Sequence, residues 1–440
     1  MKSPSSSPAV RYRGSKLPPP GERTIGPSYP LFALLLLAAI PIQQVSPSTA
    51  LWATPAILLA AMLIAWAAES AQFFIAQGFA LAILAWLQTL PEFAVEAVLA
   101  WKQQVPLLLA NLTGALRLLV GLGWPMIYFV AATFHHFRYG RPLERIKLED
   151  EHCVEVVGLG APLAYALVIW WKGSLGLVDA AILILLYVGY LVLLSRMPPQ
   201  EVEQVEHLER IPRTIVKSPP VIRTIVIVGF FALGGGLIYY VAEPFLGSLL
   251  AVSALIGVPS FVFIQWVAPF VSEFPEKVSA FYWARTVDRA SMALMNMVSS
   301  NINQWTLLAA MLPIVFSLSI GAPSTIPFDG HQRLEILMTI GQSLVAMLFL
   351  LNMALYWWEA LALFLLWAVQ FALSPVQPGP GFWGFLGANI HWWVTAVYLV
   401  WFAAGMLRYL VSRKQPEAFR LFGIVWRTYV RGQKAAAAVK

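Results

Sequence analysis

The chain has 440 residues, of which 59% are apolar and only 12% carry a charge, and its mean hydropathy is +0.71. A soluble domain carries about 25% charged residues, so this composition excludes an ordinary soluble protein. Its repeated apolar stretches are about 20 residues long, which suits membrane-spanning helices, and the alternating strands of a transmembrane barrel do not occur. The net charge of +7 comes from basic tails and loops, as the positive-inside rule expects, and does not indicate a nucleic-acid partner.

We predict an all-α protein, a polytopic transmembrane helix bundle of about 12 spans that contains two inverted five-helix repeats. The predicted spans are 31–45, 51–71, 73–102, 106–134, 153–172, 175–196, 221–243, 246–284, 288–318, 333–352, 354–374 and 386–411. The predicted regions are a disordered basic tail (1–29), an extra span (30–50), the first repeat (51–196), a linker (197–220), the second repeat (221–374), an extra span (375–411) and a basic tail (412–440). The basic residues place both tails and the linker in the cytoplasm, and we expect a bacterial inner-membrane protein.

The sequence lacks the motifs of common enzymes and metal centres. It contains no H-E-x-x-H, P-loop or G-x-S-x-G motif, which are the signatures of metalloproteases, nucleotide hydrolases and serine hydrolases. A single cysteine, Cys153, excludes a disulfide within the chain and a multi-cysteine metal cluster, and we expect it to be buried in a helix. We therefore predict neither enzymatic activity nor a cofactor.

Two short segments place a proline and a glutamate within apolar stretches that are predicted to cross the membrane. LQTLPEFAVEAVLAW contains Pro91 and Glu92, and PFVSEFPEKVSAFYW contains Pro275 and Glu276. A charge at the bilayer centre costs about 2.5–3.5 kcal/mol, and a proline inside a helix frees a backbone carbonyl. Carboxylates and carbonyls are the oxygen ligands that hard cations prefer. These segments therefore predict a cation site at the membrane midplane.

The two segments lie in halves of the chain that share one layout. Asn111 follows Glu92 by 19 residues, and Asn296 follows Glu276 by 20 residues. Each predicted repeat contains an odd number of spans, so the second repeat is inserted upside down, as in many secondary transporters. The two glutamates then face each other and can together neutralise one divalent ion.

These motifs resemble those of the sodium/calcium exchanger superfamily, the cation/calcium antiporters, whose repeats carry G-T-S-x-P-E and then a helix with G-N-x-x-G-S-N. The second repeat has VSEFPE (271–276) and MNMVSSNINQ (295–304), and the first has LQTLPE (87–92) and ANLTGALRLL (110–119). The resemblance implies the superfamily's inverted-repeat fold. It also implies a secondary antiporter that moves calcium against sodium or protons by alternating access, with the lipid bilayer and the transported cations as its partners.

By position, the resemblance implies that Glu92 and Glu276 are the central carboxylates that bind the transported metal ion. Other polar residues match ligand positions or stand beside them; these are Gln88, Thr89, Ser272, Glu273, Ser300, Asn301, Asn111 and Asn296. Glu96 lies one helical turn after Glu92, and we expect Glu96 and Arg117 to modulate the site.

The first repeat departs from the family pattern after its asparagine. Ala115 and Leu116 stand where the family has Ser-Asn, and Arg117 follows them. An arginine at this position can lie beside Glu92 or Glu276 as a fixed cation. Two alternatives to a transporter therefore stay open. One is a non-transporting or regulatory paralogue whose ion site is occupied by Arg117, and the other is an intramembrane enzyme that uses the two glutamates as acid and base.

The remaining ionisable residues of the spans and loops have simpler expected roles. Glu273 and Lys277 are spaced to form a compensating ion pair on one helix. Glu69 and Glu243 lie near predicted helix ends, from which we expect them to reach the interface. The histidines are expected to be solvated in loops, in the case of His135, His136, His207 and His331, or interfacial, in the case of His391.

Overall fold

The structure is a computed structural model that describes residues 45–74, 85–197, 205 and 208–431. Several sequence predictions lie wholly or partly outside these residues: the tail 1–29, the span 30–50, His207, the N-terminal part of the span 73–102, the linker 197–220 and the end of the tail 412–440.

The described residues are mostly helical. The helices of the first half are α1 (Ala50–Ala71), α2 (Leu90–Trp101), α3 (Val105–Leu118), α4 (Trp124–Tyr139), α5 (Cys153–Gly158), α6 (Gly160–Lys172) and α7 (Leu177–Leu194). They are followed by α8 (Arg210–Lys217), α9 (Pro220–Ile256), α10 (Ser260–Ser272), α11 (Phe274–Arg285), α12 (Ala290–Asn303), α13 (Ala309–Ile320), α14 (Gly330–Leu350), α15 (Trp357–Leu373), α16 (Phe382–Ser412) and α17 (Glu417–Val425). The short strands are β1 (Arg145–Lys147), β2 (Ser174–Leu175), β3 (Ile326–Pro327) and β4 (Ala354–Tyr356).

This architecture confirms the predicted transmembrane helix bundle. Within the described residues, eight helical segments are long and apolar enough to cross a bilayer, and the apolar helices α10 and α15 are shorter. The short strands were not predicted, because two or three residues carry too little periodicity to indicate a strand.

The predicted spans 221–243 and 246–284 are wrong in their boundaries. Helix α9 continues through Pro244 to Ile256 and ends at Gly257, whose φ of 72° favours glycine. Helices α10 and α11 then follow as separate pieces. A proline removes one backbone hydrogen bond, and neighbouring helices allow membrane helices to tolerate that loss. Here α9 packs along α1, and the helix passes Pro244 without ending.

The first Pro-Glu segment lies where a helix is interrupted. Residues 85–88 are helical, the chain turns at Thr89, and the helix resumes as α2 with Pro91 and Glu92 in its first turn. Proline suits a first turn because its missing N–H would have no partner inside the helix there. The end of the helix at residues 85–88 and the start of α2 therefore meet at Thr89, and Glu92 lies next to this junction.

The second Pro-Glu segment has the same arrangement. Helix α10 ends at Ser272, Glu273 separates it from α11, and Pro275 and Glu276 lie in the first turn of α11. Broken helices of this kind, in corresponding positions of two halves, form the ion and substrate sites of many transporters. Each half therefore supplies one such broken helix.

Further matched features relate the two halves. Helix α3 continues into a π-helical turn at Leu119–Gly123, and α12 into one at Gln304–Leu308. Strand β1 pairs antiparallel with β4, and β2 pairs antiparallel with β3. Each small sheet thus takes one strand from each half, which is the reciprocal pairing expected of inverted repeats.

Helix α3 crosses α10 in close contact at Gly114. A Cβ atom at this position would lie 1.8 Å from the backbone oxygen of Gln265, so the crossing requires glycine, as close membrane helix contacts often do. One turn later, the Arg117 guanidinium lies 5.2 Å from the centre of the Trp266 ring, within cation–π range. The contact fixes α3 against the helix that leads into the second break.

Candidate functional site

The acidic residues of the two broken helices lie together in the protein interior. Glu92 is fully buried, and Glu273 and Glu276 are almost fully buried. The carboxylate of Glu92 lies within electrostatic range of Glu273, Glu96 and Glu276. The structure thus brings carboxylates from both halves, which the sequence placed on separate segments, into one cluster.

Gln304 joins the acidic residues of the two halves. Its Nε2 atom donates hydrogen bonds to Oε2 of Glu92 and Oε1 of Glu273, both at 2.8 Å. Gln304 is the first residue of the π-helical turn after α12, and such turns occur often at functional sites. One amide group therefore fixes the separation of two carboxylates from opposite halves.

The interruption at Thr89 is held by two asparagines of α12. Asn303 Nδ2 donates to the hydroxyl oxygen of Thr89 at 2.6 Å, and Asn296 Nδ2 donates to Oε1 of Gln88 at 3.2 Å. The Thr89 hydroxyl in turn donates to the backbone oxygen of Trp86 at 2.8 Å. The first break is thus positioned by side chains of the second half.

In the first half, the asparagine that follows the Pro-Glu segment has a different contact. Asn111 Nδ2 donates to Oε1 of Glu96 at 2.9 Å, and both residues are fully buried. At the end of α3, Leu118 and Leu119 occupy the positions that Asn303 and Gln304 occupy at the end of α12. Helix α12 therefore places amide side chains at the breaks, whereas α3 has leucines at the matching positions.

A group of buried oxygen atoms around the two breaks makes no hydrogen bond of normal geometry among the described residues. The atoms are Oε1 of Glu92, Oε2 of Glu96, both carboxylate oxygens of Glu276, Oγ of Ser300, and the side-chain carbonyl oxygens of Asn111, Asn296, Asn301, Asn303 and Gln304. The Ser300 hydroxyl is close enough to Glu276 to interact with its carboxylate. An unpaired buried polar group costs about 1–3 kcal/mol, so a cluster of them calls for a partner. Calcium takes about 6–8 oxygen ligands, and this donor set suits such an ion.

Lys277 compensates one of the three acidic residues. Its Nζ atom forms a buried ion pair with Oε2 of Glu273, four residues earlier, which confirms the pairing predicted from their spacing. Lys277 on α11 therefore neutralises the charge of Glu273, which lies at the break before that helix. Glu92 and Glu276, the glutamates of the two Pro-Glu segments, form no ion pair among the described residues and can balance the charge of a bound cation, whereas the nearby buried Glu96 is hydrogen-bonded by Asn111.

Arg117 lies elsewhere. Its Nη2 atom is 2.6 Å from Oε2 of Glu335 on α14, and both side chains are 1% exposed. The expectation that Arg117 lies beside Glu92 or Glu276 is therefore wrong: its ion-pair partner is Glu335. The sequence could not reveal this, because a buried arginine needs a counter-charge but the spacing does not say which acid provides it.

Other charged and polar residues have local roles. Ser272 donates a long hydrogen bond of 3.4 Å to the backbone oxygen of Pro269 within α10. Glu69 is buried and accepts a hydrogen bond from Ser279, so the expectation that it reaches the interface is wrong. Glu243 is exposed and pairs with Lys102 at 2.5 Å.

Asn303 and Gln304 belong to the cluster although neither was predicted as a site residue. Both belong to the run MNMVSSNINQ (295–304), in which amide and hydroxyl side chains recur along a helix predicted to cross the membrane. Such residues are expensive in lipid unless they find partners. The whole polar run, and not only its Ser-Asn pair, was therefore the signal.

The family and the fold are shown by comparison with known proteins. The family model described as "Sodium/calcium exchanger protein" matches residues 46–196 and 226–374. The chain belongs to the sodium/calcium exchanger family. This exchanger is similar to the crystal structure of the H⁺/Ca²⁺ exchanger CAX, with 32% identity and a TM-score of 0.79 over 91% of this chain and 95% of that one. The resemblance predicted from the sequence is thus confirmed.

More distant solved structures share the fold. The sodium-calcium exchanger NCX_Mj is 16% identical with a TM-score of 0.51, over 77% of this chain and 98% of its own. Native YfkE is 14% identical with a TM-score of 0.54, over 80% of this chain and 97% of its own. No curated protein sequence matches this exchanger. Membership of the family and the similarity to the CAX structure identify the chain as an integral membrane cation/calcium antiporter.

Proposed function

We propose that this exchanger moves Ca²⁺ across the membrane in exchange for protons, by alternating access around Glu92 and Glu276. The observation that supports this most strongly is the cluster of buried oxygen atoms without a hydrogen bond of normal geometry, contributed mainly by both broken helices and by α12. The proposed ligands are Glu92 and Glu276, with Ser300, Asn301 and Asn296. Gln88, Thr89, Ser272 and Glu273 shape the breaks, and Asn111 with Glu96 supports the first one.

Calcium is the proposed cargo because two carboxylates match its charge. Glu273 is already balanced by Lys277, which leaves Glu92 and Glu276 with two negative charges when both are ionised. Amide and hydroxyl oxygens can complete a coordination shell of about 6–8 ligands without adding charge. A softer metal would favour imidazole or thiolate ligands, and the proposed ligand set contains neither.

Protons are the proposed counter-ion because they need no ligands other than the same carboxylates. Each sodium ion would require an oxygen shell of its own, yet α3 offers Ala115 and Leu116 where α12 offers Ser300 and Asn301. Two protons on the two glutamates would replace the charge of one Ca²⁺ and keep the buried site neutral, which a low-dielectric interior favours. The similar structure is described as an H⁺/Ca²⁺ exchanger.

The non-transporting alternative loses its basis once Arg117 is paired with Glu335. Family membership also speaks against the enzyme alternative, and we propose that the protein needs no cofactor. We further propose a bacterial inner membrane as its location, with the basic tails on the cytoplasmic side, as their charge suggests.

Calcium uptake into proteoliposomes that contain the purified exchanger tests this function. Uptake is measured under an imposed pH gradient, an imposed sodium gradient, and neither. We expect uptake driven by the pH gradient and no greater uptake with sodium than with an impermeant cation. Uptake driven by sodium alone would contradict proton coupling, and absence of flux under every gradient would contradict calcium transport.

A further inference from the structure

A cluster of metal-ligating side chains lies outside the candidate transport site, where α14 meets α16. His331 and Glu335 occupy successive turns at the start of α14, and His391 comes from α16. One ligand atom of each residue lies within 4.8 Å of the ligand atoms of the other two. The sequence predicts His331 in a solvated loop and His391 at the interface, and it gives no sign that either lies near Glu335.

Both imidazole rings converge on one oxygen of the Glu335 carboxylate. His391 Nδ1 contacts Oε1 of Glu335, and His331 Nε2 lies 4.0 Å from the same atom. The centroids of the two imidazole rings are 6.0 Å apart. Two nitrogen atoms and one carboxylate oxygen therefore lie within 4.8 Å of one another.

The carboxylate is oriented by partners on its other oxygen atom. Oε2 of Glu335 lies 2.6 Å from Nη2 of Arg117 and accepts a hydrogen bond of 2.8 Å from Nε2 of Gln265. Phe261 packs edge-on against His331, with the ring centroids 4.8 Å apart. Outer partners of this kind fix the direction of a ligating group and strengthen metal binding. Here they leave Oε1 facing the two histidines.

The cluster can be reached from outside the protein. The side chain of His331 is 55% exposed, whereas those of His391 and Glu335 are 16% and 1% exposed. An ion can therefore bind first to His331 and then reach the buried carboxylate. An exposed imidazole next to a fixed carboxylate also has the freedom to close on an ion at about 2 Å from each ligand.

We propose that His331, Glu335 and His391 bind a borderline transition-metal ion of the zinc class, and that the bound ion slows exchange. Two imidazoles and one carboxylate are ligands that zinc prefers, with a fourth position left for water. Calcium requires more oxygen ligands than one carboxylate provides. The site therefore differs in its metal preference from the proposed transport site.

The effect on exchange follows from the helices that the cluster joins. Glu335 is held by Arg117 of α3 and by Gln265 of α10, the helix that leads into the second break. His391 comes from α16, which lies beyond the second stretch that the family model matches. His391 already contacts Glu335, and an ion bound by both would replace this contact with coordinate bonds that hold α16 more firmly to α14 and, through Glu335, to α3 and α10. Alternating access requires packed helices to move against one another, and such a tie restrains that movement.

Binding of Zn²⁺ to the full chain tests the site directly. The protein is purified without tag histidines, and zinc affinity is measured by competition with a chromophoric chelator. We expect one Zn²⁺ per chain, and an affinity at least about tenfold weaker in His331→Ala and in His391→Ala. His136→Ala, which removes an exposed histidine of α4, is the matched control and should bind zinc as the wild type does. Millimolar Ca²⁺ should not displace the ion.

Unchanged zinc affinity in both histidine variants, or displacement of zinc by calcium, would overturn the site. Because His331 is exposed, His331→Ala is expected to fold even if His391→Ala does not. The transport consequence is measured as calcium uptake with and without Zn²⁺, and only the wild type and His136→Ala should slow. If zinc slowed calcium uptake by His331→Ala as much as uptake by the wild type, the proposal that the bound ion slows exchange would be overturned. Zinc binding should persist in Glu92→Gln, so the zinc-binding test can succeed or fail independently of the proposed calcium transport.

Discussion

The two Pro-Glu segments have the same local structure but are held in different ways. The first break is positioned by Asn303, Asn296 and Gln304, all from the second half of the chain. The second break contains its own ion pair, between Glu273 and Lys277, and receives the Gln304 hydrogen bond from within its own half. Most of the polar side chains around the cluster therefore come from the second half.

The two halves of the chain contribute unequally to the site. Helix α12 carries a run of amides and hydroxyls at the cluster, whereas α3 has Ala115 and Leu116 in the matching positions. The charged residue of α3, Arg117, instead joins α3 to α14 through Glu335. We infer that α12 mainly serves ion binding and that α3 mainly serves packing.

The largest loss of calcium uptake should come from replacing Glu92 or Glu276. Each half provides one of these carboxylates, so the two replacements should have equal effects. Glu276→Gln and Glu92→Gln should each reduce pH-driven calcium uptake by about 10²- to 10³-fold, because losing one partner of a buried charge pair costs about 3–5 kcal/mol. Uptake per folded protein in proteoliposomes is the measurement. Glu243→Gln, which neutralises an exposed glutamate, is the control. A variant of either buried glutamate that retained half the wild-type flux would break the equivalence of the two segments.

The Arg117–Glu335 pair should matter for stability. Arg117→Met removes the guanidinium that pairs with the buried Glu335 carboxylate, and we expect the free energy of unfolding to fall by about 3–5 kcal/mol. Thermal unfolding in detergent is the measurement, and Arg117→Met with Glu335→Gln should recover part of the loss because no charge remains unpaired. An Arg117→Asn variant that gained calcium flux would contradict this role and favour an arginine that blocks the ion site.

Replacing Gln304 with leucine copies the matching position of the first half, Leu119. Gln304→Leu removes the donor shared by Glu92 and Glu273, and hydrogen bonds to charged groups contribute about 1.5–3 kcal/mol. We expect the apparent calcium affinity to weaken at least about tenfold. The concentration dependence of uptake measures this affinity. An unchanged affinity would mean that the bridge between the halves is not needed for binding.

The smallest expected loss of calcium affinity comes from matched substitutions that compare α12 with α3. Asn301→Ala removes one neutral oxygen from the cluster, worth about 1 kcal/mol, so the apparent calcium affinity should weaken about fivefold. Leu116→Ala, at the matching position of α3, should leave the affinity unchanged even where it lowers stability through a cavity. Equal losses of affinity in both variants would contradict the proposed division between α12 and α3.

Local chemistry made the breaks and the acidic residues predictable from the sequence. A proline and a glutamate within an apolar stretch are costly at Pro91–Glu92 and at Pro275–Glu276, so both positions stood out without a structure. The spacing of Glu273 and Lys277 likewise predicted their ion pair. The inverted repeat followed from the parity of the predicted spans.

The remaining features depend on contacts between distant parts of the chain. The partners of Arg117 and of Gln304 are set by how helices pack, and sequence spacing within one helix carries no information about them. The predicted span 221–243 ends before Pro244, but α9 continues through this proline because neighbouring helices support the backbone. Glu335 and His391 meet only because α16 lies against α14.

We propose that Glu92 and Glu276 together form one calcium site. Equilibrium binding of radioactive Ca²⁺ to the purified protein distinguishes one shared site from two separate ones, with the number of ions per chain measured in the wild type, Glu92→Gln and Glu276→Gln. We predict that either single substitution removes all binding at the site, because one ion needs both carboxylates. Two independent sites would instead leave half of the bound calcium in each variant, and that result would contradict the claim.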